Sequence, residues 1–230
     1  MTDFSPTDRS KLTRLPKRGS YDRQAVFDVL DAAMTCHIAY VIDGQPFCTP
    51  TTFWRHEDVL YWHGAFMGRM GKHLSQGAPV CVTVSHLDGL VMARSAFHHS
   101  VNFRSAMCFG TARPVSDMAE KTRALTGLIE RFYPGRTEVL RPMQEPEVKG
   151  TLVVAMPIEE ASAKCRADTV GDDAPDYALP IWAGVIPVQT VLGAAQPCPR
   201  LSPEISRPAH LDHLAEGARL DQAFLTAMRP

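Results

Sequence analysis

The chain has 230 residues, of which 45% are hydrophobic and 21% are charged. This length is enough for one sizeable core and makes a single domain the expectation. The formal net charge of −1 excludes a global positive field that would recruit nucleic acid or anionic lipid, so any anion site must be local. No segment approaches the ~18 apolar residues of a transmembrane helix, and the first residues lack the apolar core of a signal peptide. A cytoplasmic protein is therefore expected.

In chain order, a polar N-terminal arm over residues 1–20 comes first, followed by alternating helical and strand-like segments. Helical spacing of apolar residues, or a capping pattern such as Asp117-x-x-Glu120, predicts helices over residues 21–34, 68–76 and 117–132. Short apolar runs bounded by turn signals predict strands over residues 37–43, 46–54, 59–64, 79–86, 90–96, 105–115 and 151–166. Asp43-Gly44 is a strong hairpin signal, and Asp88-Gly89 separates two of the runs.

From Asp168 onward the composition changes. An acidic, turn-rich stretch leads to the apolar run IWAGVIPV, and prolines recur over residues 194–209. The predicted division is an arm (1–20), a folded domain (21–193) and a proline-rich tail with a short terminal helix (194–230). Many short strands with few helices predict a mainly β fold, an antiparallel barrel with helical decoration.

The richest chemical signal lies between His86 and Gly110. Two arginines, Arg94 and Arg104, stand among hydroxyl and amide side chains, of which Ser95, Ser100 and Asn102 are examples. Guanidinium forks together with such donors suit a phosphate dianion. The alternative is that these residues cap a loop and pair with surface carboxylates.

A second basic group lies in the glycine-rich stretch from Gly64 to Lys72. Arg69 and Lys72 stand one helical turn apart at a predicted helix start, and glycines allow a close approach of the backbone to a ligand. The stretch is not a P-loop, because Phe66 replaces the required first glycine and His73 the required Ser or Thr. The two basic groups together would suit one phosphorylated ligand; alternatively, Arg69 and Lys72 form a solvated helix face.

Histidine and tryptophan residues add weaker signals. His63 follows an apolar strand and is either a structural residue or a polar group at a reactive site. His98 and His99 point to opposite faces if extended, which argues against joint metal binding. Trp182 either fills the core or covers a planar ligand.

Taken together, several segments resemble the flavin-nucleotide-binding branch of the pyridoxamine 5′-phosphate oxidase-like superfamily, a group that includes nitroimidazole-resistance-type proteins. The segments are HIAYVIDGQPFCTPTTFW, LYWHGAFMGRMGKHL, CVTVSHLDGLVMARSAFHHSVNFRSAMCFG, EEASAKCR and LPIWAGVIPV. The resemblance runs from about Arg14 to Pro187. It implies an FMN-binding split β-barrel of the Greek-key antiparallel type, forming a homodimer with the cofactor groove shared between subunits.

The resemblance also implies which residues line the groove. Thr51 and Thr52 would lie beside the flavin ring, whereas Arg69, Met70 and Lys72 match the stretch that meets the phosphate. The remaining positions carried over to the cofactor are His63, Gly64, Ala65, Arg94, Ser95, Ser100, Asn102, Arg104 and Trp182, the last reaching across from the partner subunit. His63 is also the candidate catalytic group.

Two departures bear on the activity. Gly68-Arg69-Met70 replaces the Ser-Arg-Lys of true pyridoxamine-phosphate oxidases, and their C-terminal arginine motif is not evident. The resemblance therefore implies an FMN-dependent oxidoreductase for an unidentified small molecule rather than a vitamin B6 oxidase. The alternatives are a non-catalytic flavin or haem carrier or sensor, and a nitroreductase-type detoxification protein.

Overall fold

A computed structural model describes residues 3–228. Nine β-strands in this part of the chain form one sheet, and all their pairings are antiparallel. They are β1 (Gly19–Ser20), β2 (Thr35–Ile42), β3 (Gln45–His56), β4 (Val59–Gly64), β5 (Ala78–Met92), β6 (Ser100–Pro114), β7 (Leu152–Pro157), β8 (Glu160–Arg166) and β9 (Gly184–Pro187).

Six of these strands close into a barrel, in the order β2, β3, β4, β7, β6 and β5, because β5 pairs with both β2 and β6. β8 and β1 continue the sheet beyond β6, and β9 lies beside the far end of β5. The two 15-residue strands β5 and β6 thus belong to the barrel at one end and to an open sheet at the other. The mainly β split barrel predicted from the sequence is confirmed.

The barrel interior is filled by alternate residues of its strands. Cys36, Ile38 and Tyr40 of β2 are buried between exposed neighbours, and Leu60 and Trp62 of β4 are fully buried among them. Each large apolar side chain buried in this way contributes roughly 1.5–3 kcal/mol to stability. The alternation fixes the register, since a slip of one residue would expose the whole set.

Five helices accompany the described part of the barrel. They are α1 (Arg23–Asp31), α2 (Arg69–Leu74), α3 (Met118–Phe132), α4 (Glu145–Gly150) and α5 (Leu220–Ala227). Asp117 caps α3, accepting a hydrogen bond of 2.7 Å from the Glu120 N–H as the sequence predicts. Within residues 3–228, every helix is too short or too polar to cross a lipid bilayer.

The structure corrects three details of the strand predictions. Asp88 does not separate two strands: it lies in a bulge of β5, between Leu87 and Gly89. β6 begins already at Ser100, so part of the predicted polar loop is strand. The run over residues 151–166 is two strands, because Ile158 leaves β7 to donate its N–H to the Asp58 carbonyl at 2.8 Å.

The C-terminal part of the chain returns to the barrel. Leu192 donates its N–H to the Ala218 carbonyl, and Leu220 donates to the Thr190 carbonyl, so the segment before α5 lies along the segment that follows β9. α5 then packs on α3, where the Phe224 ring lies 5.0 Å from the Phe132 ring. Residues 1–2 and 229–230 of the predicted arm and tail lie outside the described residues.

Candidate functional site

A cavity of about 280 Å³ lies between the barrel and α2. Gly71 shapes it, because a Cβ there would lie 2.3 Å from the Ala65 carbonyl oxygen, so only glycine allows this tight approach. The lining residues are Tyr40, Thr49, Trp62, Gly64, Ala65, Gly68, Arg69, Met70, Gly71, Leu152 and Val154. Four predicted cofactor residues, Gly64, Ala65, Arg69 and Met70, are thus brought together here.

Two polar groups of this cavity have no hydrogen-bond or ion-pair partner in the described part of the chain. Arg69 lies over the Phe47 ring, with its guanidinium carbon 4.5 Å from the ring centroid, and makes no ion pair. The Trp62 Nε1 is buried and makes no hydrogen bond. An unsatisfied buried N–H costs free energy, so its persistence points to an acceptor supplied from outside the chain. The cavity therefore offers a cation and a buried donor to a ligand.

The other predicted residues of this region lie nearby on the strands and on α2. Lys72 is exposed on α2, and its backbone N–H bonds to the Gly68 carbonyl at 2.9 Å. Thr51 and Thr52 are half-buried on β3. His63 is exposed on the opposite face of β4 from Trp62, and its ring lies 6.2 Å from the Trp54 ring, so the structure does not bring it into this cavity.

Arg94 lies in the loop after β5 and is held by the carboxylate of Asp172, far along the chain. Asp172 accepts hydrogen bonds from the Arg94 backbone at 3.0 Å and from its guanidinium at 2.9 Å. The Arg94 Nε and the neighbouring Ser95 Oγ are buried without a partner in the described chain. Ser100 is exposed at the start of β6, and Trp182 is 65% exposed rather than part of the core.

Arg104 is also paired with carboxylates. Asp88 accepts two hydrogen bonds from it, at 3.0 and 2.8 Å, and Asp221 of α5 accepts a third at 3.1 Å. The hydrogen bond to Asp88 raises the pKa of the Arg104 guanidinium, and Asn102 on the same strand donates to the Asp168 carbonyl at 3.0 Å.

Arg104 lines two adjoining cavities of about 370 and 460 Å³, neither of which includes Arg69. Within a single chain, Arg69 and Arg104 therefore lie in separate cavities. The structure shows Arg94 and Arg104 paired with carboxylates, and their contact with a phosphate stays a prediction.

The carboxylates that hold these arginines were not among the predicted site residues. In the sequence, Asp88 belongs to a turn signal, and Asp172 stands in an acidic stretch that gives no indication of its partner. Asp221 lies far along the chain, and only the fold brings it to Arg104. The unpaired N–H of Trp62 carries no sequence signal at all.

Comparison with known proteins assigns the chain to a family. The model of the pyridoxamine 5′-phosphate oxidase family matches residues 22–165. The chain belongs to this family. A search of curated proteins found no match.

Solved structures of similar proteins extend the relationship beyond the family match. The flavocytochrome Anf3 of Azotobacter vinelandii is 41% identical over 93% of this chain and 100% of its own, with a TM-score of 0.86. The FAD and haem binding protein of Mycobacterium smegmatis is 34% identical over 88% of this chain and 98% of its own, with a TM-score of 0.83. A protein of Bacteroides thetaiotaomicron assigned to 5-nitroimidazole antibiotic resistance is 28% identical over 64% of this chain and 85% of its own, with a TM-score of 0.54.

Proposed function

We propose that this member of the pyridoxamine 5′-phosphate oxidase family binds a flavin nucleotide and acts as an oxidoreductase on a small molecule. The observation that carries the proposal is the similarity, over nearly the whole chain, to two proteins named for a flavin and a haem group. The unpaired Arg69 and the buried Trp62 N–H support it, because they suit the phosphate and the polar edge of such a ligand. The family resemblance implies FMN, whereas the name of the M. smegmatis relative makes FAD the first candidate.

The proposed binding roles follow the predicted residues, with one change. Arg69 and Lys72 would bind the flavin phosphate, while the backbone of Gly64 and Ala65 lies along the sugar chain. Thr51, Thr52, Met70, Arg94, Ser95, Ser100, Asn102 and Trp182 stay predicted contacts. Arg104, because it is held by Asp88 and Asp221, is proposed to orient this side of the groove rather than to bind the phosphate alone.

A bound flavin accepts and returns an electron pair, and the protein supplies position and electrostatics. His63 is proposed to hold a proton beside the ring, since its imidazole is exposed on β4 and is free of hydrogen bonds within the described chain. If the bound flavin is reduced by a nicotinamide cofactor, the protein is a reductase, and a nitro compound is one candidate for the substrate that it reduces. The absence of turnover with any donor would instead favour a flavin or haem carrier.

A second copy of the chain is the proposed partner. Val101, Leu90 and Ile186 stand directly opposite one another on β6, β5 and β9, and each is at least 40% exposed. Phe97, in the loop between β5 and β6, is 90% exposed. Contiguous apolar surface of this kind marks interaction sites, and this surface adjoins the arginine-bearing strand. A homodimer formed here would bring the Arg94 loop of one chain towards the other.

Haem is a second candidate cofactor, favoured by the two relatives that are named for it or for a cytochrome. Four of the nine histidines are engaged: His86, His98, His99 and His213 contact a carbonyl or a carboxylate. The other five rings make no hydrogen bond or ion pair within residues 3–228 and are the candidate iron ligands: His37, His56, His63, His73 and His210. We expect that, of five variants in which one of these histidines is replaced by alanine, only one loses the haem Soret band.

The flavin proposal is tested by the visible spectrum of the purified protein and by chromatography of the extracted cofactor. We expect a yellow protein that releases FAD or FMN, and Arg69→Gln should lower flavin affinity about tenfold. Arg141→Gln is the matched control, because Arg141 is exposed and pairs with Glu147 away from the cavity. A protein that takes up neither flavin under saturating conditions would refute the proposal.

A further inference from the structure

A separate cavity of about 610 Å³ lies on the outside of the barrel, between α3 and the hairpin formed by β3 and β4. Its helical wall includes Glu120, Arg123, Ala124 and Gly127, which share one face because they are spaced three or four residues apart, and the hydroxyl residues Thr122 and Thr126 stand beside them. Ala124 and Gly127 are small, which leaves the space open. Its volume is within the range of small-molecule sites in proteins.

The floor of the cavity is aromatic and carries an unpaired donor. The Trp54 and Tyr61 rings stack at 5.8 Å with an interplanar angle of 16°. Trp54 is 2% exposed, and its Nε1 points at Gly127, 3.8 Å from where a Cβ would stand. This N–H has no acceptor in the described part of the chain, and the small exposed fraction of Trp54 leaves it open to an acceptor from the cavity.

One cation of the lining is likewise free. Arg123 makes no ion pair or hydrogen bond within residues 3–228, whereas Arg55 is held by Asp31 and Glu120 by Arg113. Burial raises the pKa of Tyr61 in the floor of the cavity, and the positive charge of Arg123 acts in the opposite direction. The lining therefore offers one uncompensated positive charge, one N–H donor and a flat aromatic surface.

We propose that this cavity binds a planar aromatic monocarboxylate. One carboxylate oxygen accepts the hydrogen bond from the Trp54 Nε1, the other meets the Arg123 guanidinium, and the ring of the ligand lies along Tyr61. A single free cation selects a monoanion, since Glu120 at the same wall disfavours a second negative charge. The site is distinct from the α2 cavity and does not depend on flavin binding.

The probe is 2-naphthoate, and the neutral 2-naphthalenemethanol is its matched control. The chain has three tryptophans, so a ¹⁵N-labelled sample shows few indole N–H signals, and Trp54→Phe identifies the one of interest. We expect naphthoate to shift the Trp54 indole signal downfield, and the alcohol to bind at least tenfold more weakly. A shift of other indole signals alone, or equal affinity for the two probes, would overturn the proposal.

Three variants at two positions locate the binding in the full-length protein. Gly127→Leu fills the cavity and should abolish the naphthoate shift, while Gly127→Ala, which adds only a methyl group in ordinary contact distance, should keep the affinity within twofold. Arg123→Gln leaves the cavity open and should weaken naphthoate about tenfold without affecting the alcohol. Unchanged naphthoate affinity in Arg123→Gln would refute the assignment even if Gly127→Leu failed to fold. All these readouts are independent of the flavin content, so the flavin proposal and this one can fail separately.

Discussion

At the scale of single residues, one buried carboxylate holds two arginines. Asp31 is 5% exposed and accepts hydrogen bonds from the Arg55 guanidinium, one of them at 3.0 Å, while Arg131 lies 3.9 Å from it. Burial lowers the pKa of Arg131, and Asp31 opposes that shift. We expect Asp31→Asn to lower the free energy of unfolding by about 3 kcal/mol, since it leaves buried guanidinium groups without a counter-charge. Urea denaturation measures the loss, and Arg113→Gln, at an exposed pair, should cost less than about 1 kcal/mol.

A second residue-scale prediction concerns Asp221 and pH. Burial acts to raise the pKa of this carboxylate, but hydrogen bonds from Arg219 and Arg104 hold the pKa below its ordinary value of 3.8. A lowered pKa in the folded state stabilises the fold above the ordinary value, and this contribution is lost as the pH falls through the folded value. Asp221→Asn should therefore unfold more easily than the wild type at pH 7, and the difference should shrink below pH 4. A difference that stays constant down to pH 2, measured by thermal unfolding, would contradict this account.

At the scale of elements, Gly110 sets how closely β6 approaches the break between β7 and β8. A Cβ at this position would lie 2.2 Å from the Pro157 carbonyl oxygen and 2.9 Å from the Met156 side chain. Gly110→Ala must therefore push the strands apart, and we expect a loss of about 2 kcal/mol or more in urea unfolding. Gly150→Ala, at the end of α4, meets nothing within 4 Å and serves as the control. Equal stability of the two variants would show that the strands yield at no cost.

The elements also show what the sequence could and could not predict. Apolar alternation and the Asp117 cap are local signals, and they predicted the strands of the barrel and the start of α3. The break at Ile158 carries no glycine, and it arises because the backbone there finds acceptors on other elements, such as Asp58. Arg94 and Arg104 are recognisable in the sequence as part of a polar cluster, whereas their partners Asp172 and Asp221 are not. Residue types are visible in a sequence, but a partner more than a hundred positions away is set by topology.

At the scale of the whole molecule, one aromatic residue packs the last helix against the middle of the chain. Phe224 is 2% exposed, packs on Phe132, and its carbonyl accepts a hydrogen bond from Arg131 at 3.2 Å. Truncating such a side chain costs about 3–5 kcal/mol where the surroundings cannot collapse. We expect Phe224→Ala to release α5, and with it the Asp221 contact to Arg104.

Hydrogen exchange separates this release from general destabilisation. In Phe224→Ala, the amides of α5 and of the segment over residues 217–220 should lose protection, whereas those of β2 and β3 inside the barrel should keep most of theirs. Met228→Ala, which truncates an exposed side chain just beyond the same helix, is the control and should leave the pattern unchanged. A uniform loss of protection across the barrel would mean that the C-terminal segment folds as one cooperative unit with it. Selective loss would make the Asp221–Arg104 contact a separable connection between the end of the chain and the arginine-bearing strand.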